Sequence, residues 1–483
     1  MIRKIIPILA LVPLLFCGCL DDEDYITDAS TALVVHRDTV DLGVTLADEL
    51  SVTDTLKFFN NSSKALRISQ AWLESGASSP FRVNLDGTYL ENGAATSFEV
   101  ASKDSLLAFI AFNAPESDSN DAVEFTDRLY VRTEGGAETS VVLLGSSQNV
   151  VRIVGETLAE STTYTADRPY QIIDSLVVAA GATLTLDAGT TLLFHAGASL
   201  IVRGTLVSNG TAEQNVVLRC DKLGNMLTDI AYDDLPGQWG GVRIASDSYG
   251  NTLAYTDIHG GSFGIVCDSA STATQKLDME GCIIHNVTGY ALWAKRCRID
   301  ATNCQITNAG ADCVCLFGGN SSFVHCTVAQ FYPLTSGDGV ALNFANYDGD
   351  VAHPLEVLQF YNSIITGRNE DDLMGSPSAD FSDVAFNYYF KNCLINTPNP
   401  ADEEHFPGCL WEEDADDDSE KSGNFRSFDY DHLLFDFQLD SISRAIGAAD
   451  ASVSTNYAPT DRLGVSRAGK SATDMGCYEY VGE

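Results

Sequence analysis

Histidine is the side chain most readily turned to proton transfer or metal ligation near neutral pH. Two of the eight histidines hold the same place in successive copies of a short repeat, Thr256-Asp257-Ile258-His259-Gly260 and Cys282-Ile283-Ile284-His285-Asn286. On adjacent strands of a parallel stack His259 and His285 would stand about 4.8 Å apart. Stacks of like residues also occur without function, and no third ligand accompanies the pair, so no metal site is assigned. A second group is Lys295, Arg296 and Arg298 beside Trp293, the one notable basic cluster of the chain. It could hold an acidic sugar, although neutralising nearby carboxylates is the simpler reading. Trp239, Tyr255, Tyr290 and Trp293 fall near the bends of the repeat, where flat rings could stack on sugars or pack between loops. The ligand-binding candidates are therefore Trp239, Tyr255, Tyr290, Trp293, Lys295, Arg296, His259 and His285. No catalytic residue is assigned, because the chain has no Gly-rich phosphate loop, Gly-x-Ser-x-Gly elbow or His-Glu-x-x-His helix. Cys313-Val314-Cys315, with Cys297 and Cys304, lacks the paired C-x2-C knuckles of a zinc site.

The elements that must position these residues follow from the repeat. Its further copies are Cys304-Gln305-Ile306-Thr307-Asn308, Cys326-Thr327-Val328-Ala329-Gln330, Ser363-Ile364-Ile365-Thr366-Gly367 and Cys393-Leu394-Ile395-Asn396-Thr397. The third place is always a β-branched aliphatic, the first is small, and Cys282, Cys304 and Cys326 are 22 residues apart. A period of that length is one solenoid coil. Strand residues alternate faces, so the first and third places should point inward and the second and fourth to solvent. Cys282, Cys304, Cys326 and Cys393 then form a buried ladder of small hydrophobes.

Upstream of Asn149 the texture differs. Residues 31–148 carry about seven short strand patterns (32–35, 56–60, 66–72, 97–100, 106–112, 128–133 and 139–144) separated by turn signals such as Asp86-Gly87, as in an immunoglobulin-like β-sandwich. From residue 150 to 483 glycine-punctuated alternation gives way to the pentads, predicting an all-β chain with a parallel β-helix after the sandwich. Residues 1–19 form a secretory signal, with Arg3 and Lys4 before an apolar run and Gly18-Cys19 at its end. Cys19 is the expected lipidation site, and 20–30 an acidic, structureless tether. Acyl chains hold a membrane at about 0.8 kcal/mol per buried methylene. With 67 acidic against 28 basic residues the formal charge is −39, which excludes nucleic acid as a partner. Such a surface attracts calcium, but the run Glu412 to Glu420 lacks the glycine and ligand order of a calcium loop and is expected to be solvated, so no cofactor is assigned. Longer coil insertions at 332–350 and 368–380 are expected to emerge as loops on a binding face.

The entry section 176–207, Pro236-Gly237-Gln238-Trp239-Gly240-Gly241-Val242 and the pentads together resemble the right-handed parallel β-helix family of the pectate lyases. Asp461-Arg462-Leu463-Gly464-Val465-Ser466-Arg467 and Asp474-Met475-Gly476-Cys477-Tyr478-Glu479 resemble the closing segment of bacterial surface β-helix proteins. The acidic stretch after Cys19 resembles the export signal of Bacteroidetes-type surface lipoproteins, and residues 56–68 with 104–106 and 143–148 their immunoglobulin-like domains. These resemblances imply a lipid-anchored outer-membrane protein exposed at the cell surface, its β-helix presented to a polysaccharide or to a host or envelope protein. In the lyases of that fold, carboxylates on adjacent coils hold calcium beside a basic residue. The second places here read Asp257, Ile283, Gln305, Thr327, Ile364 and Leu394, so that column does not carry over. The expected function is non-catalytic binding, and the alternative is a polysaccharide lyase or glycoside hydrolase.

Overall fold

The computed structural model describes residues 25–227, 229–334, 339–412 and 422–482. The signal peptide, Cys19 and residues 20–24 of the tether lie outside them, as do 413–421 of the acidic run. The chain divides into two compact units, one made of residues up to Leu42 with Leu50–Ala114 and Glu124–Gly145, the other of Gly43–Glu49, Pro115–Val123 and everything from Ser146.

The first unit is built on seven-stranded and five-stranded sheets. Alternation is the reason they pack: in Asp54–Phe59 Leu56 and Phe58 are buried while Lys57 is exposed, and Ile68, Val83, Ile110, Leu129 and Leu143 complete the same core. The strands Thr39–Leu46 and Phe81–Leu85 escaped the sequence reading. Within the expected tether, Tyr25–Ile26 pairs in parallel with Ala65 and Leu66, so order starts earlier than a run of acidic residues suggested.

The second unit is a parallel β-helix, with nine strands in one sheet and eighteen in a ladder that pairs as two columns. Each coil thus has three walls. The pentads form the first wall, the other column of the ladder (Gly241–Ile244, Leu292–Lys295 and Val314–Phe317 among its strands) the second, and the nine-stranded sheet the third. The pentad register is direct: Ile258, Ile284, Ile306, Val328, Ile365 and Ile395 lie one above another. All six are buried, each contributing about 1.5–3 kcal/mol by burial. The first-place column Thr256, Cys282, Cys304, Cys326, Ser363 and Cys393 is buried as well. Its thiols donate weakly to carbonyls of the preceding coil, as in Cys282 Sγ to Leu253 O at 3.2 Å and Cys304 Sγ to Met279 O at 3.6 Å.

A corner precedes every pentad, at Tyr255, Gly281, Asn303, His325, Asn362 and Asn392, and each of these has φ between 42° and 62°. The left-handed region admits glycine freely and asparagine or histidine tolerably, which explains these choices. The corner turns the chain from the nine-stranded wall into the pentad wall in one residue.

The outward places did not stay in solvent. Gln305, Thr307, Thr327, Ile364, Thr366 and Leu394 are all buried, because the C-terminal chain folds back over this wall. The hairpin Phe425–Asp429 with Leu434–Leu439, together with Met475, Cys477 and Tyr478, packs on Ala329, Phe331, Ile364 and Leu394. Apolar residues in outward places need such a cover. The cover is fastened by Arg467, fully buried, whose guanidinium bonds Glu479, Asn303 and the Gly476 carbonyl. Three further expectations are corrected. Residues 368–380 contain Leu373–Ser376, another rung of the second wall and not a free loop. Tyr332, at the start of the insertion 332–350, is fully buried. Glu412 is buried too, accepting from Thr366 Oγ1 at 2.6 Å and Asn424 Nδ2 at 2.6 Å.

Candidate functional site

The eight proposed ligand-binding residues do not form one site. Trp239 is only 1% exposed: its ring stacks on Phe194 at 4.2 Å between centroids, and its indole N–H donates to the His259 carbonyl at 2.7 Å. The ring sits inside the coil, so Trp239 belongs to the core. Trp293 and Lys295 lie on Leu292–Lys295 in the second wall, where the ammonium pairs with Asp348 and stands 5.2 Å over the Trp293 ring. Arg296 is exposed at a left-handed corner with φ 47°, Tyr255 occupies the corner before the pentad wall, and Tyr290 is half-buried between the first and second walls.

His259 and His285 do meet. They are direct register partners, their rings 4.8 Å apart, on Thr256–His259 and Ile283–Val287 of the pentad wall. The partner that the sequence reading did not find is Asp257, two residues before His259 and therefore on the same side of the strand. Its Oδ1 lies 2.8 Å from His259 Nδ1 and 3.4 Å from His285 Nε2. Across the ring, His259 Nε2 is 3.2 Å from Oδ1 of Asp233, which is also ion-paired with Arg219. Asp233 comes from the loop between Val216–Cys220 and Gly241–Ile244, an excursion of the chain with no pentad to mark it.

Both ring nitrogens of His259 face carboxylates, so the ring donates twice and carries a charge. Burial opposes that charge, but Asp257 and Asp233 overcome it and raise His259 to about 9. Burial likewise acts against Asp257, and the two imidazoles outweigh it, holding the carboxyl well below the usual carboxylate range. Asp234, next in the loop, is pushed up by burial and by Asp233.

Beside this cluster lies a cavity of about 300 Å³ between the pentad wall and the C-terminal hairpin. Its polar lining includes Asp234, His285, Asn286, Gln305, Asn308 and Asp436, and Phe435 and Tyr478 are among the residues that add ring surface. Tyr478 Oη donates to Gln305 Oε1 at 2.8 Å, and Asn286 Nδ2 donates to the Asp234 carbonyl at 3.1 Å. The amide oxygen of Asn286 is buried and has no hydrogen-bond partner among the described residues.

No family model matches the chain. No curated protein matches it. Among solved structures, the ASH/PapD-like domain of human CEP192 matches at 14% identity over 30% of this chain and 99% of that one, with a TM-score of 0.18. The N-terminal domain of PorA matches at 17% identity over 23% of this chain and 87% of that one, TM-score 0.18. The E. coli chaperone DraB matches at 13% over 25% and 55%, TM-score 0.17. Matches at this level assign no activity.

Proposed function

We propose that this chain is a lipid-anchored cell-surface protein whose β-helix binds a glycan without cleaving it. The observation that carries the reading is the cavity under the C-terminal hairpin. Small-molecule sites combine a few convergent polar groups with aromatic surface and start at about 300 Å³. Here hydrogen-bonding side chains converge on one wall and Phe435 and Tyr478 supply rings, a lining suited to a single sugar residue at a chain end or branch. The address rests on Gly18-Cys19 after the apolar run and on the acidic stretch that follows. Binding of a panel of uronate and neutral glycans, measured by titration calorimetry, should be lost in Phe435→Ala and should leave no new reducing or unsaturated ends. Cys19→Ala should shift the protein out of the membrane fraction, and retention there would contradict the anchor.

One observation favours hydrolysis as the second reading. Asp234 and Asp436 line the same cavity, and burial raises Asp234 as a general acid requires. Release of reducing ends that disappears in Asp234→Asn would establish it and overturn the first.

A further inference from the structure

The geometry points to a divalent transition-metal site at Asp257, His259 and His285, and we propose that it takes an ion of the zinc type. Among the described residues these three form the only group of His, Cys, Asp or Glu ligand atoms gathered within reach of one ion, all lying within 4.8 Å of one another. Two imidazoles and a carboxylate are a ligand set for zinc, iron, nickel or copper and not for calcium, which prefers six to eight oxygens.

Two of the three ligand spacings are close to what a bound ion requires, and the third lies within 4.8 Å. Metal–ligand bonds of about 2.0–2.2 Å put tetrahedral ligand atoms roughly 3.3–3.5 Å apart. Asp257 Oδ1 and His285 Nε2 are already 3.4 Å apart. Asp257 Oδ1 and His259 Nδ1, at 2.8 Å, would need to open by about 0.5 Å for such bonds.

The surroundings point the same way. A ligating histidine nearly always donates its other N–H to a carboxylate, a backbone carbonyl or a water, which fixes the ring and its tautomer. His259 Nε2 faces Asp233 at 3.2 Å, and Arg219 anchors Asp233 from behind. With Nε2–H so engaged, Nδ1 is the nitrogen that faces the ion, and ion binding would release to solvent the proton that Nδ1 gives to Asp257 in the ion-free protein. A second observation comes from outside the triad: in the wall of the cavity that His285 also lines, the buried amide oxygen of Asn286 has no partner among the described residues. Three protein ligands leave a coordination position open, and the cavity is where a water or a ligand oxygen would fill it. The inference does not depend on the glycan reading.

The test is titration of the intact, chelator-treated protein with Zn2+ alone, with Ca2+ in parallel and Co2+ as a spectroscopic probe. One zinc ion per chain is expected, with a cobalt spectrum in the visible region. His285→Gln, at a partly exposed position that should not disturb folding, should lower affinity at least a hundredfold. Asp233→Asn should keep the stoichiometry and weaken binding 10–100-fold, the usual effect of losing the carboxylate behind a ligand. Circular dichroism of each metal-free variant separates loss of the site from loss of fold. Absence of stoichiometric zinc, zinc affinity unchanged in His285→Gln, or tighter binding of calcium than of zinc would each overturn the proposal.

Discussion

His325 shows how much one side chain can carry in this fold. It fills a left-handed corner with φ 51°, its Nδ1 donating to the Gly476 carbonyl at 3.2 Å and its Nε2 accepting from Asn362 Nδ2 at 3.0 Å. Burial, and then the Arg467 charge, push its pKa well below the usual 6.5. An unfolded chain protonates this ring near pH 6.5 and the folded one does not, so its contribution is complete above about 6.5 and shrinks as pH falls. Between pH 6.5 and 5.5 the wild type should lose up to about 1 kcal/mol more than His325→Asn, a substitution that suits the corner. Urea midpoints at the two pH values read the difference, and equal slopes would contradict it. Position in the repeat identified His259 and His285 as neighbours, but not their chemistry. Asp257 was visible in the second place, yet a search for carboxylates on successive coils passes over one lying two residues before a histidine of its own strand. Asp233 had no local signal at all, since a loop outside the repeat delivers it.

The elements were legible to the extent that they repeat. Small first places and β-branched third places marked the pentad wall, and the stacked register follows from them. What stayed hidden was what covers that wall, although Ile364 and Leu394 in outward places were its trace. Arginine and acid runs near the C-terminus give no indication of which surface they clasp. Gly476 tests this cover. With φ 89° and an added Cβ only 2.8 Å from both Ile364 Cδ1 and Thr327 Oγ1, it leaves no space for a side chain. Gly476→Ala should cost about 2–4 kcal/mol, from overpacking and a strained backbone together. The lost stability should be local, so limited proteolysis should cut within 425–482 first and leave the stacked coils intact. Simultaneous cleavage of the pentad wall would contradict an independent cover.

At the scale of the molecule, an acidic chain with a formal charge of −39 has its histidine pair and the cavity under the hairpin on one wall of a solenoid. On the second wall the half-buried Lys295 is paired with Asp348 and stands over the Trp293 ring. On the function proposed above, recognition belongs to the place where the C-terminal hairpin meets the pentads. Hydrogen–deuterium exchange of the intact protein, with and without a glycan found to bind, tests this assignment most directly. Protection on binding is predicted in peptides spanning 283–308 and 433–437 and in those that carry Asp234 and Tyr478, and nowhere else in the β-helix. Protection centred on Trp293 and Lys295, with the hairpin unchanged, would contradict it.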